Sequence, residues 1–330
     1  MENDEWKMMN RTNLNEIMKK SAILLLFTLI LGTVSGQEIQ KVAKAKTDLL
    51  SDAPADTARK HWRVNGTGSL QFSQAAFSNW AAGGQNSLGL VAWINFKANY
   101  RNGKQVWANT VDLGYGFNIL GKGDNMTFNK TNDKLEVTTA YGYELSKNKK
   151  WYLTVLANFR TQFADGFNYP DDSTVISKFM APGYLVAGIG ITYAPVNWFY
   201  VYLSPVSGRF TFVTDQKLAD QGAFGVDPGK NIRGEFGPYL RADLNKDLAK
   251  NINLASTLEL FTDYLVEFGN IDVNWSLLLS MKVNKWLAAS IQTQLIYDDN
   301  IMIQTAPNEA PGPRTQFKEM LGIGLTYMLN

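Results

Sequence analysis

Few residues in this chain can do chemistry near neutral pH. Among 330 residues there is one histidine, His61, and no cysteine. Without cysteine there is no thiol nucleophile, no disulfide framework and no anchor for an amino-terminal lipid. One histidine leaves no histidine-rich zinc site and few routes to acid–base catalysis. A barrel phospholipase needs a serine activated by a histidine and oriented by a polar partner. His61 precedes the first strand-like segment, where nothing places it beside a serine, so a Ser–His hydrolase is disfavoured. Glu136 and Glu259 are a carboxylate pair able to do acid–base work, but carboxylates enclosed together usually meet arginine instead. Asp171-Asp172 and Asp298-Asp299-Asn300 offer oxygens to calcium without EF-hand spacing, and solvated loop charge is the simpler reading. Gly188-Ile189-Gly190 and Gly322-Ile323-Gly324 look like nucleotide-binding fragments only in isolation. Both lie inside strand-like segments with no helix after them. The sequence therefore predicts no enzyme, no cofactor and no metal.

What remains is architecture. The formal net charge of +2 lacks the basic surplus of a nucleic-acid binder. Charged residues make up 19 %, low for a soluble domain, while Gly (27), Phe (18), Tyr (14) and Trp (9) are plentiful. That profile leans toward a β-protein in an unusual solvent. At the amino terminus, Met18-Lys19-Lys20 precedes an apolar run from Ala22 to Leu31, and Val34-Ser35-Gly36 supplies small residues. Positive start, apolar core and small-residue exit make a secretory signal. The run is about half the roughly 20 residues a spanning helix needs. Residues 1–36 are read as the signal, with Met18 as the true start because Glu2, Asp4, Glu5 and Glu16 form an odd acidic prefix. Residues 37–61 have no sustained apolar face and read as a periplasmic linker. Residues 62–330 read as one domain.

From Trp62 onward the hydrophobic period is two. Leu88, Leu90, Ala92, Ile94, Phe96, Ala98 and Tyr100 alternate with Gly89, Val91, Trp93, Asn95, Lys97 and Asn99. Successive side chains of a strand point to opposite faces, so each such segment has one apolar and one polar or small face. Twelve segments fit, near 63–74, 86–100, 106–118, 134–145, 151–163, 183–194, 199–213, 233–244, 252–264, 270–283, 286–297 and 316–329. Most suit tilted spanning strands, which need roughly 9–11 residues. Short connections (101–104, 146–150, 195–198, 245–251, 284–285) alternate with longer polar loops near 119–133, 164–182, 214–232 and 298–315. Short turns at one rim and long loops at the other predict an all-β, twelve-stranded antiparallel transmembrane β-barrel. Trp107, Trp151 and Trp286 open strands at the short-turn rim, where Tyr100, Tyr193 and Tyr327 end them. Phe163, Tyr264, Tyr297 and Phe317 lie toward the other rim. Trp and Tyr favour both membrane–water interfaces. A β-sandwich filled with aromatics is the alternative, and it leaves the loop asymmetry and the signal unexplained.

In such a barrel the apolar face meets lipid and the polar face lines the lumen. Leu113, Val137, Val155, Leu258 and Leu277 are expected outside. Asp112, Glu136, Arg160, Glu235, Arg241, Asp243, Glu259, Asp272 and Lys282 are expected inside, and Glu319 is the main charge left on the lipid face. Charges of both signs in one lumen fit a plugged, self-paired interior as well as an open pore. The connection holding Asn79, Trp80, Gly83 and Gly84 is less generic. It reads either as a tight structural turn or as a loop that plugs the mouth or contacts a partner.

The stretch Asn79-Trp80-Ala81-Ala82-Gly83-Gly84 resembles the signature of an uncharacterised Bacteroidota family known as domain of unknown function three-thousand-seventy-eight. Further matching pieces are Asn132-Asp133-Lys134-Leu135, Phe159-Arg160-Thr161-Gln162-Phe163, Leu203-Ser204-Pro205-Val206-Ser207-Gly208, Ile271-Asp272-Val273-Asn274-Trp275 and Leu295-Ile296-Tyr297-Asp298-Asp299. The resemblance implies an outer-membrane β-barrel and supplies no substrate or catalytic residue. The expected function is a narrow channel or passive transporter for small polar solutes, with outer-membrane lipid and the solute as partners. A plugged barrel with a structural or partner-binding role is the second reading, and a lipid-modifying enzyme the third. The signal predicts a mature protein that begins at Gln37 and fractionates with outer membranes. Amino-terminal sequencing checks this, and a mature cytoplasmic protein that keeps Met1 or Met18 overturns it.

Overall fold

The alternating segments form the walls of a closed cylinder. The structure, a computed structural model, describes residues 61–75, 86–121, 126–266, 268–284, 287–304 and 310–329. The expected signal, nearly all of the linker, the Asn79–Gly84 connection, Trp286 and the Tyr327 side chain lie outside the described residues. The strands are β1 (Trp62–Ala75), β2 (Ser87–Asn102), β3 (Gln105–Leu120), β4 (Thr127–Glu144), β5 (Trp151–Thr161), β6 (Gly166–Phe167), β7 (Val175–Ser177), β8 (Gly183–Val196), β9 (Phe199–Phe212), β10 (Ile232–Ala249), β11 (Ile252–Phe261), β12 (Asp272–Lys282), β13 (Leu287–Tyr297), β14 (Met302–Ile303), β15 (Gly312–Pro313) and β16 (Gln316–Leu329). Twelve of them make the barrel, in the order β1-β16-β13-β12-β11-β10-β9-β8-β5-β4-β3-β2, and the last pairs back with the first. Every neighbouring pair is antiparallel. β6 with β7 and β14 with β15 are small two-stranded pairs within long loops. Closure leaves no unpaired edge, which backbone in hydrocarbon requires.

Two expected connections are shorter than the sequence suggested. The 119–133 loop is largely strand, because β3 runs to Leu120 and β4 begins at Thr127. The 245–251 connection is a tight turn, because β10 runs to Ala249 and β11 starts at Ile252. Apart from Phe128 and Leu248, residues 127–133 and 245–249 are polar or small on both faces, as fits strand protruding into water, so no sustained alternation marks them. The stacked rings of Phe117 and Phe128, 4.6 Å apart, hold the first extension together.

The faces are as expected. Outward Val137, Val155, Ile189 and Leu203 are exposed, and Val155 reaches 51 %. Leu113, Leu258 and Leu277 share the outer face, each between inward-facing neighbours. Large apolar side chains bare to the surroundings over all the walls are the mark of a barrel that stands in hydrocarbon. At the short-turn rim the outer rings pair up. Trp151 lies 4.3 Å from Tyr193, and Trp62 lies 5.3 Å from Tyr100 and 5.5 Å from Trp107. At the other rim Phe163, Tyr264 and Phe317 are exposed.

The β9–β10 loop folds into a small cap. Helix α1 (Gln216–Asp220) starts at Asp215, whose carboxylate accepts the Leu218 amide at 3.1 Å and pairs with Lys178 at 2.8 Å. Ala181, Val213, Leu218, Ala219 and Val226 form its own apolar core. Leu277 faces outward midway along β12, and its neighbour Ser276 faces the interior. Replacing Leu277 with Arg should cost roughly 2–4 kcal/mol of folding stability in lipid vesicles, and Ser276→Arg less. Refolding titrations of the two variants check this, and equal tolerance contradicts the assigned facing.

Candidate functional site

The interior chemistry begins with an irregularity in the wall. On β9, Tyr200, Tyr202 and Ser204 face inward, and after Pro205 the inward positions become Ser207, Arg209 and Thr211. Between the pairs Ile189–Val206 and Ile191–Leu203, the single β8 residue Gly190 opposes two of β9, Ser204 and Pro205. The same slip separates Gly237 from Tyr239 on β10. This is a β-bulge, and Pro205 and Pro238 occupy it because neither has an N–H to give the ladder. Ser204 Oγ donates to the carbonyls of Ile189 and Val206 at 2.8 and 2.7 Å. Ser207 Oγ donates to that of Gly237 at 2.6 Å. Gly190 makes room for the bulge, since a Cβ there would strike the Leu203 carbonyl. One extra residue therefore turns Arg209 from the lipid side to the lumen.

Arg209 becomes the hub of a charge cluster toward the long-loop end. Its guanidinium meets Glu235 at 2.5 Å, Asp272 at 2.5 Å and Asp298 at 3.5 Å, and it lies 4.4 Å over the Phe261 ring. Arg233 also holds Glu235, at 2.6 Å, and donates to the Gly225 carbonyl of the cap at 3.0 Å. A second cluster sits deeper. Register places Asp112, Glu136, Arg160 and Tyr184 side by side on β3, β4, β5 and β8. It likewise sets Tyr202, Arg241, Glu259 and Asn274 in line on β9 to β12. Arg160 crosses the lumen to Glu259 at 2.9 Å. Glu259 also accepts from Arg241 at 3.1 Å, Tyr239 at 2.6 Å and Asn274 at 2.6 Å. Arg241 grips Asp243 through two nitrogens, and Glu136 is held by Lys134 and Asn158. Arg160 with Glu259 and Arg209 with Asp272 join strands that are not neighbours in the wall, so these two pairs brace the cylinder across its bore.

Below the clusters the bore is filled. Inward Tyr152, Tyr202, Leu156, Asn158 and Asn253 are all under 2 % exposed, as is Lys97. Tyr200, Tyr239, Val106 and Ala140 pack among them. Above this floor lies a cavity of ≈ 430 Å³ lined by both charge clusters, by Trp93 and by amides including Gln292 and Gln294. Phe224 of the cap and Ile301 reach its lining from the loops.

Asp112, Glu136, Arg160, Arg241, Asp243, Glu259 and Asp272 all line this chamber, as the alternation predicts. Glu235 lies behind it, buried between two arginines. Lys282 shares the inner face but sits at the short-turn end of β12, away from the chamber. Arg209 and Asp298, which also line the chamber, and Arg233 on Glu235 behind it were not among the expected residues. Pro205 inside an alternating segment is the signal that could have found Arg209. His61 lies at the short-turn rim, where its Nδ1 is 3.3 Å from the Arg101 carbonyl and its ring 5.6 Å from that of Tyr100, with no hydrogen bond to a serine among the described residues. Among the described residues no group of three or more acidic or histidine side chains is arranged to hold a metal ion. Asp171 is tied instead to Ser173 and Thr174 of its own turn.

A family model described as a protein of unknown function, DUF3078, matches residues 72–167. No curated protein sequence matches the chain at a significant level. Among solved structures, the chain is similar to the COG4313 outer membrane channel from Pseudomonas putida F1, at 13 % identity and a TM-score of 0.37, covering 84 % of this chain and 99 % of that one. It is also similar to the NanC porin, at 7 % identity and a TM-score of 0.33, with 79 % and 98 % covered. The translocator domain of the autotransporter NalP from Neisseria meningitidis matches at 12 % identity and a TM-score of 0.26, with 87 % and 98 % covered. Likenesses this weak carry no functional argument, which rests on the chain's own geometry.

The charge lattice makes a specific demand on stability. Removing Glu259 leaves Arg160 and Arg241 facing one another without their shared carboxylate. Glu259→Ala should destabilise the barrel by about 3–5 kcal/mol, the usual cost of breaking a buried pair from one side. Replacing Arg160, Glu259 and Arg241 together by apolar residues of similar size should recover much of it. Urea unfolding in vesicles measures both, and a wild-type midpoint for Glu259→Ala would show the lattice to be merely solvated.

Proposed function

We propose that this protein is an outer-membrane β-barrel, exported by the leader that ends at Gly36, which gives small polar solutes a narrow passage, and that the conformation described is its closed state. It acts by passage and not by catalysis. The observation that carries this reading is the chamber. An apolar-skinned cylinder with a purely structural role has no need of a chamber of ≈ 430 Å³ lined by charged and amide side chains. Passage in this reading requires the floor of Tyr152, Tyr202 and Leu156 to part and the pairs across the bore to exchange partners for solute or water.

A second reading, a plugged barrel with a structural or partner-binding role, draws on the same cross-wall pairs and buried floor. Planar-bilayer recording separates the two. The channel reading expects small, infrequent openings from the wild-type protein and a several-fold larger conductance from Tyr152→Ala and Tyr202→Ala. Neutralising Arg160 should shift reversal potentials in a salt gradient toward cation selectivity, because a fixed positive charge leaves the wall. A silent wild-type barrel that conducts only when its floor is cut away assigns the second reading.

A further inference from the structure

Most charges in the chamber are paired with one another, and two are not. Asp112, inward on β3, accepts the Asn95 amide at 2.6 Å through one carboxylate oxygen. It makes no ion pair among the described residues, and its neighbour Lys134 is engaged by Glu136. Lys318, inward on β16, donates to Asn132 Oδ1 at 2.8 Å and also makes no ion pair among the described residues. Lys318 keeps over a third of its surface exposed although it lines the lumen.

These two charges share one neighbourhood. Asp112 and Gly114 are successive residues on the inner face of β3, some 7 Å apart in an extended strand. A Cβ on Gly114 would strike the Trp93 ring and would come within 2.7 Å of Asn132 Nδ2. The glycine thus lets the indole and the Asn132 amide close in on the inward position next to Asp112 along β3, and Lys318 reaches the same amide. Asn132 is 94 % buried by its 6 % exposure, and its Nδ2 has no hydrogen-bond partner. The Lys318 contact fixes the amide with Oδ1 toward the ammonium, so the donor cannot be satisfied by turning it over. A buried donor left without a partner is costly, and such a group marks a place where something else accepts. Gln292 and Gln294 line the same side of the chamber.

We propose that this corner of the chamber binds a small zwitterion, a molecule with an amine at one end and a carboxylate at the other. The ammonium goes to the open oxygen of Asp112, over the Trp93 face, which attracts cations. The carboxylate goes to the ammonium of Lys318, and a small shift of the Asn132 amide, whose Nδ2 has no free surface as it stands, lets that idle donor reach it. A solute with one charge leaves either Asp112 or Lys318 without a counter-ion, and a neutral one leaves both. The inference rests on the channel reading only in calling the ligand a solute, since binding itself needs no passage.

The probe is the ω-amino acid series glycine, β-alanine, γ-aminobutyrate and ε-aminocaproate, which varies the distance between the charges. Each is titrated calorimetrically into the full-length barrel in detergent, beside its matched primary amine and carboxylic acid. At least one member should bind about tenfold tighter than either singly charged counterpart, the factor that one charged contact brings. Asp112→Asn should remove that advantage over the carboxylic acid, and Lys318→Gln the advantage over the amine. A series in which no member outbinds its counterparts overturns the proposal, as does unchanged affinity in both folded variants. Should a variant fail to fold, the wild-type comparison alone decides. A barrel that binds the series but never conducts keeps this site and loses the channel. One that conducts without distinguishing the series loses this site alone.

Discussion

Everything in this molecule follows from where charge is allowed to be. Backbone groups in hydrocarbon must bond to one another, and a closed cylinder of strands does this without edges. Alternation then divides the side chains into two populations with opposite solvents. An arginine or glutamate on the outer face faces a cost of several kcal/mol at mid-depth, so the charges of the walls gather in the bore. There they lack bulk water and must satisfy one another. The Arg209 and Glu259 hubs, each holding three or four partners, are the result.

The same confinement makes the interior stiff and specific. A bidentate guanidinium fixes direction as well as charge, as Arg241 does on Asp243. Where partners come from strands far apart in the wall, the pair sets the relative depth of two strands. Arg160 on β5 and Glu259 on β11 are 99 residues apart in sequence and 2.9 Å apart in space. Around Trp93, Asp112, Asn132 and Lys318 the balance is incomplete, and polar groups there keep capacity for something further.

The twelve strands, the facing of their side chains and the two rims could be read from period-two alternation and the spacing of turns. This worked because lipid and water impose opposite demands on alternate residues, and it stopped working where lipid stopped. Residues 127–133 form strand beyond the apolar band, where both faces are wet and no alternation betrays them. At the site, alternation correctly placed Asp112, Glu136, Arg160 and Glu259 inside. It did not reach Arg209, because one bulged residue at Pro205 inverts the phase of the rest of β9. Which charges pair was not legible at all. Partners such as Arg160 and Glu259 are set by the tilt and closure of the whole cylinder, and no local pattern carries that information.

The seam between β1 and β16 has a kinetic meaning. Gly66 faces Leu329 there, so the two ends of the folded chain are the contact that shuts the cylinder. Loop-closure entropy opposes such a distant pairing until the intervening hairpins have already formed and brought the ends together. Before that moment both terminal strands are sticky, open edges with a row of idle amides and carbonyls. A nascent chain that lacks β16 cannot shut itself, however well its other hairpins form. Maturation is therefore all-or-none at its last step, and the chain needs shelter from its neighbours until its final strand arrives.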